Sequence, residues 1–252
     1  MNTRRLIGRF LTLSTLALCT TSALASVVIG ATRVIYNAAE HETVVKLVNE
    51  GTSPALTQIW LDAGNAQAEP SSVDAPFTLT PPVARIDPGK AQTLRIFYTG
   101  EPLPADKESV FWLNVLEIPP KPGADSGPNT LQLAFRSRIK LFFRPADLPG
   151  NAEEAPGKVT WQVVQHNGRA ALEATNPTPY HVSFSSVQLQ GVERVTSSVE
   201  SGMVAPGGRH VFELDTPLGG QPPGRVRYAA INDYGGAVSG DAPVSAASRP
   251  LP

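Results

Sequence analysis

The sequence predicts an all-β protein made of two sandwich domains. Three observations carry that prediction: a turn-forming composition, short apolar runs at strand spacing, and a Pro/Gly-rich break between two series of such runs. Of 252 residues, 24 are proline and 21 are glycine. Proline at about twice its usual ~5% share cannot be spread through helix interiors, where each one removes an N–H donor and collides with the preceding turn. Only 17% of residues are charged against 41% hydrophobic, which excludes a coiled coil and a disordered acidic or basic tail. No run keeps a 3.6-residue period over three turns, so the apolar segments read as strands of antiparallel sandwiches.

Residues 1–25 read as an export signal rather than fold. Arg4, Arg5 and Arg9 make a basic start, the stretch from Leu11 to Leu18 is apolar apart from hydroxyls, and Ala23-Leu24-Ala25 sets small residues at the −3 and −1 positions of a cleavage site after Ala25. The apolar run is too short for a membrane anchor, which takes ~20 residues of helix. Bulky Leu18 before Cys19 argues against lipid attachment. Cleavage would remove three arginines and no acid, leaving 18 basic against 22 acidic residues, a formal charge of −4. That balance gives no reason to expect a nucleic-acid partner. Cys19 is the only cysteine, so the exported product would be held without a disulfide and needs hydrophobic cores of its own.

The first series of predicted strands covers 27–36, 43–49, 56–61, 92–98, 110–118 and 131–143. The second covers 158–165, 170–175, 181–189, 209–214 and 225–231. Between them, the segment from Arg144 to Gly157 is rich in proline, glycine and acid and reads as a domain boundary. The expected organisation is therefore a first domain over 26–147, a second over 148–240, each the size of an immunoglobulin-like sandwich, and a disordered tail over 241–252 with almost nothing to bury.

The predicted strand at 131–143 is the most informative segment. Its odd positions are Leu131, Leu133, Phe135, Ser137, Ile139, Leu141 and Phe143, while its even positions include Arg136, Arg138 and Lys140. In a strand these sets fall on opposite faces, one greasy and one basic. Thirteen residues at ~3.3 Å each would span about 43 Å, over twice the common strand length. Two readings stay open on the residues alone. Either the whole greasy face lies in the domain core, or Leu131, Leu133 and Phe135 project beyond it and are kept for a partner by strand addition.

Six collinear blocks resemble the periplasmic chaperones of the chaperone–usher pilus pathway. They are Ala31-Thr32-Arg33-Val34-Ile35-Tyr36; Pro81-Pro82-Val83-Ala84-Arg85-Ile86-Asp87-Pro88-Gly89; Lys107-Glu108-Ser109-Val110-Phe111-Trp112-Leu113-Asn114-Val115-Leu116-Glu117-Ile118-Pro119-Pro120; Leu131 to Pro145; Asn176-Pro177-Thr178-Pro179-Tyr180; and Ile231-Asn232-Asp233-Tyr234-Gly235-Gly236. The resemblance implies two immunoglobulin-like domains in a boomerang with a subunit-binding cleft between them. It implies donor-strand complementation, in which Leu131, Leu133 and Phe135 fill a gap in a pilus subunit that lacks its final strand. It further implies that Arg33 and Lys140 bind the subunit's C-terminal carboxylate, and that Glu108, Arg144 and Asp233 form an inter-domain salt-bridge network. An outer-membrane usher would receive the subunit, with no nucleotide spent.

The connection from Pro119 to Thr130 is twelve residues and has no flanking cysteine pair, which favours the family's short-loop class. The resemblance leaves open whether the free protein caps itself by self-association.

No catalytic constellation is legible. His41, His166, His181 and His210 have no partner at metal-ligand spacing, and neither a nucleophile elbow, a phosphate loop nor a dinucleotide fingerprint occurs. No metal, no cofactor and no enzymatic activity are expected, and no membrane insertion once the signal is gone. Among rivals, a structural pilus component or two-domain adhesin would carry a donor segment ahead of its first strand, whereas the predicted first strand begins at Val27. A carbohydrate-binding sandwich would need an exposed aromatic platform, but Trp60, Trp112 and Trp161 sit in alternating contexts that place them in cores. The expected protein is a periplasmic, ATP-independent chaperone for pilus subunits.

Overall fold

The computed structural model describes residues 26–72, 75–119, 133–191, 195–215 and 224–245. The first domain is a sandwich of two sheets. One has the strand order β1 (Val27–Ile29), β3 (Thr43–Asn49), β7 (Ala91–Tyr98), β5 (Phe77–Thr80). The other runs β2 (Arg33–Asn37), β9 (Phe135–Arg144), β8 (Ser109–Ile118), β4 (Ala55–Asp62), β6 (Val83–Ile86). The predicted single strand at 27–36 is thus two strands, one in each sheet. The chain switches sheets at Gly30–Thr32, where the Gly30 N–H still donates to the Lys46 carbonyl at 2.8 Å.

Alternation decides what each strand buries. Val34 and Tyr36 of β2, Leu47 of β3, Ile59 and Leu61 of β4, Leu94 and Ile96 of β7, Leu113 and Val115 of β8, and Leu141 and Phe143 of β9 share one core. Tyr36 is wedged among Phe77, Tyr98 and Phe143, and its hydroxyl donates to the His41 carbonyl at 3.0 Å, so the polar tip of a buried ring is satisfied.

The second domain is an eight-stranded sheet folded on itself. A short helix, α1 (Ala155–Lys158), follows the inter-domain segment. The strands are β10 (Thr160–His166), β11 (Arg169–Thr175), β12 (Val182–Gln190), β13 (Val195–Ser197), β14 (Gly202–Val204), β15 (Arg209–Glu213), β16 (Arg225–Ile231) and β17 (Ala237–Ser245). Trp161 anchors its core against Phe184, Phe212 and Tyr228. Leu148 and Ala152 of the inter-domain segment pack on this core and Ala155 is buried in it.

The tail expectation needs correction. Residues 241–245 are the second half of β17, which pairs antiparallel with β16 and, at Val244 and Ser245, parallel with β10. Backbone bonding to two neighbours holds this segment despite its few apolar residues. Gly240 is needed there, since a Cβ would lie 2.5 Å from the Tyr228 ring. The expected signal at 1–25 and the residues from 246 onward lie outside the described residues.

Candidate functional site

The site lies where β2 and β9 of the first domain meet the second domain. β2 runs parallel to β9, and its first residue, Arg33, is the register partner of Lys140. Both side chains are on the sheet face away from the core and reach across to the second domain. The Arg33 guanidinium lies over Phe142, 5.6 Å from the ring centroid, and its Nη1 donates to the Ile231 carbonyl at 2.9 Å. The Lys140 ammonium donates to Ser183 Oγ at 3.3 Å.

Among the described residues neither cation is ion-paired with a carboxylate, and Arg33 Nε is buried with no acceptor. Burial pulls the Arg33 guanidinium below its ordinary value, although Asp233 and Glu108 oppose it. Burial and then repulsion from Arg33 do the same to Lys140. Two half-buried positive charges side by side oppose each other and favour an incoming anion, and a guanidinium beside an ammonium suits a carboxylate.

Arg33, Glu108, Phe142, Arg144, His181 and Asp233 line one cleft between the domains. Arg144 Nε donates to Glu108 at 2.7 Å, and its two terminal nitrogens fork onto Asp233 at 2.7 and 3.0 Å. Burial alone would lower the Arg144 guanidinium, but its bonds with Asp233 and Glu108 outweigh that and leave it raised. The Glu108 side chain is 1% exposed. It also accepts the His181 N–H at 2.7 Å and faces the His181 ring nitrogen at 3.3 Å. The Asn176 amide builds the turn that delivers His181, donating to the carbonyls of Tyr180, Val204 and Ala205. The structure therefore brings Glu108, Arg144 and Asp233 together across the domain boundary, with His181 as a fourth member that sequence reasoning missed.

β9 changes character along its length. Residues 141–143 are buried, 137–140 are half-buried, and 133–136 are exposed. Leu133 is 54% and Phe135 37% exposed, and neither belongs to the core; Leu131 lies outside the described residues. The strand itself starts at Phe135, not at 131. β2 covers β9 only from Lys140 to Arg144, while β8 pairs it from Phe135 to Phe143. Over residues 135–139 the edge opposite β8 has no strand among the described residues.

The basic face of this half-covered strand is tied down. Arg138 forks onto Asp62 at 2.5 and 3.0 Å, and Arg136 reaches Asn114 Oδ1 at 2.7 Å and the Ala66 carbonyl at 2.8 Å. Burial pushes the Asp62 carboxyl up, but bonds from Arg138, Asn114 and the Gly64 N–H outweigh it and hold it below the ordinary value. Arg136 also stacks over Trp60 and Arg138 over Trp112, with centroid distances of 4.8 and 4.6 Å. Only Trp161 sits in a core; Trp60 and Trp112 lie on the opposite sheet face under guanidinium groups. No group of three or more candidate metal ligands occurs among the described residues.

Known proteins share this architecture. The family model of the pili and flagellar-assembly chaperone PapD N-terminal domain matches residues 26–149, and that of the pili assembly chaperone PapD C-terminal domain matches 154–242. The chain is 46% identical over 243 residues to the probable fimbrial chaperone YadV of Escherichia coli K12, covering 92% of this chain and 98% of that one. It is 47% identical over 237 residues to the chaperone protein FimB/FhaD of Bordetella pertussis, covering 92% and 94%. The crystal structure of the YadV chaperone superposes with a TM-score of 0.75 at 43% identity, over 87% of this chain and 100% of that one. The SafB chaperone in complex with the Salmonella enterica SafA pilin gives 0.72 at 28% identity, over 87% and 97%.

Proposed function

The chain belongs to the family of pili and flagellar-assembly chaperones, and from that premise we propose that it captures pilus subunits in the periplasm by lending β9 in place of the final strand they lack, with the strand at the subunit's C-terminus paired to the free edge of β9. The observation that carries this reading is the coincidence of that free edge with the Arg33–Lys140 pair. A strand laid along residues 135–139 occupies the lane that β2 takes up at Arg33. If it runs parallel to β9, its C-terminus ends against the two cations. If it runs antiparallel, its N-terminal end meets them and like charges oppose. The cations therefore select direction, and by fixing the end of the strand they fix its register, where a one-residue slip would turn every side chain to the wrong face.

Leu133 and Phe135 supply the apolar half of the contact. Each such side chain contributes ~1.5–3 kcal/mol when fully buried. Release calls for no catalysis or nucleotide: an incoming strand that fits the subunit better displaces β9, and an outer-membrane usher is the expected acceptor. The Glu108–Arg144–Asp233 network holds the two walls of the cleft at a fixed angle. The pairing of a related chaperone with a pilin supports a subunit as the partner.

The test is co-expression with a pilus subunit and recovery of the complex. Arg33→Ala and Lys140→Ala are expected to lose the subunit while keeping the wild-type Tm. Recovery of subunit at wild-type levels by both variants would refute the carboxylate anchor.

A further inference from the structure

Three hydrogen bonds converge on one carboxylate at the start of the described chain. Glu117 of β8 accepts from the backbone N of Ser26 at 2.9 Å, from the backbone N of Val27 at 3.1 Å, and from the Ser26 hydroxyl. Ser26 is seated from its other side as well. Its carbonyl accepts the Glu50 N–H at 2.8 Å, and Gly51 makes room for it, since a Cβ there would stand 2.5 Å from Ser26 Cβ. Glu117 bridges the sandwich, because Val27 belongs to one sheet and β8 to the other. Among the described residues it pairs with no Lys, Arg or His side chain.

We propose that Glu117 is the receptor for the α-ammonium of Ser26, formed when the export signal is cut between Ala25 and Ser26. Water adds across that amide bond under an endopeptidase that reads small residues at −3 and −1. The acyl carbon of Ala25 leaves as a carboxylate, and the nitrogen of Ser26 becomes an amine that takes up a proton. An amide nitrogen offers Glu117 one neutral donor; the ammonium offers a positive charge at the same position, and a charge-assisted bond is about twice as strong as a neutral one. Two independent features meet on one peptide bond: the small residues Ala23 and Ala25 before it, and an otherwise uncompensated carboxylate waiting after it. Processing then completes the first domain by adding the counter-charge that its fold leaves out. The inference rests on the export reading and not on subunit capture.

The test has two arms. The full 252-residue chain is exported and its product weighed by intact mass spectrometry; a first residue of Ser26 is expected, and any other start overturns the assignment of the cut. Chains starting at Ser26 are then prepared with a free or an acetylated α-amine, acetylation removing the terminal charge, each with Glu117 or Glu117→Gln. With Glu117 the free amine should raise the Tm by roughly 3–6 °C, and in the Glu117→Gln background the free and acetylated forms should melt together. Equal melting of free and acetylated chains in the Glu117 background, or the same difference in both backgrounds, would overturn the role of Glu117.

Discussion

Replacing Leu133 should weaken subunit capture without touching the fold, and the size of the effect follows from its surroundings. The residue is 54% exposed in the free protein, so a partner has about half of the side chain left to cover. Half of the ~1.5–3 kcal/mol for a fully buried leucine is ~0.75–1.5 kcal/mol, or roughly four- to twelvefold in Kd for Leu133→Ser. Leu133→Glu adds the cost of taking a charge out of water, several kcal/mol for an unpaired ion, and should lower capture more than about a hundredfold. The assay is competition: wild type and variant, distinguishable by mass, are co-expressed with limiting subunit, and their ratio in the recovered complex is read by mass spectrometry. Leu141→Ala on the same strand is the control. Leu141 is fully buried in the first core, where such a truncation costs ~2–5 kcal/mol, so its Tm should fall by many degrees. Even competition by Leu133→Glu, or a Tm loss like that of Leu141→Ala, would refute the division of β9 into a core half and a binding half.

Further predictions concern charge and the domain boundary. The Lys140 ammonium is held below its ordinary 10.5, so between the lowered value and 10.5 the unfolded chain binds more protons than the folded one and stability rises with pH. Wild type should therefore gain Tm relative to Lys140→Met through that alkaline window. Subunit affinity should fall over the same window, because a bound carboxylate favours the charged lysine; a flat difference in both measurements would refute this. Arg144→Ala strips the guanidinium from Glu108, whose side chain is 1% exposed, and should cost ~3–5 kcal/mol by chemical denaturation, whereas Glu108→Gln should cost less. Gly235 has φ +83°, and a Cβ there would meet Thr32 Oγ1 of the first domain. Gly235→Ala should lower both Tm and capture, and adding Thr32→Ala should recover the part due to the clash but not the part due to the backbone.

How much was legible in the sequence depended on what holds each element. Strands with regular alternation and a buried face, such as β3, β7 and β16, stand close to their predicted limits because the period itself records their burial. β5, β6, β13 and β14 have only three or four residues and are defined by the neighbours that bond them, which no local pattern reports. The run at 27–36 alternates straight through the switch of sheets, so periodicity could not reveal the break. Trp60 and Trp112 show the same limit. Alternation separates two faces of a strand but does not say that the face away from the core is also covered, here by Arg136 and Arg138. Asp62 meets Arg138 from 76 positions away and His181 meets Glu108 from 73, distances that no local pattern reports. The Arg33–Lys140 pair had no local signal either, and its sequence-level reading came entirely through the resemblance.

A free sheet edge is normally a hazard, and the way this one is framed explains why it can persist as a binding surface. Nothing pairs with residues 135–139 on the open side among the described residues, and the apolar side chains at the start of the strand lack a core to hold them. What holds the strand extended is its ladder with β8 on one edge and the opposite face, where Arg138 is locked to buried Asp62 and Arg136 to buried Asn114. Because the side-chain period is two, pinning the even residues also aims the odd ones. A subunit therefore meets a strand already ordered, and the ~1–2 kcal/mol per residue that fixing a loose backbone would cost is not charged against binding. In the proposed function, the Arg33–Lys140 pair makes the edge selective. A strand ending in a carboxylate brings the negative charge that Arg33 and Lys140 lack. On the proposed reading, preorganisation on one face and uncompensated charge at one end turn a promiscuous edge into one that prefers a particular direction, register and terminus.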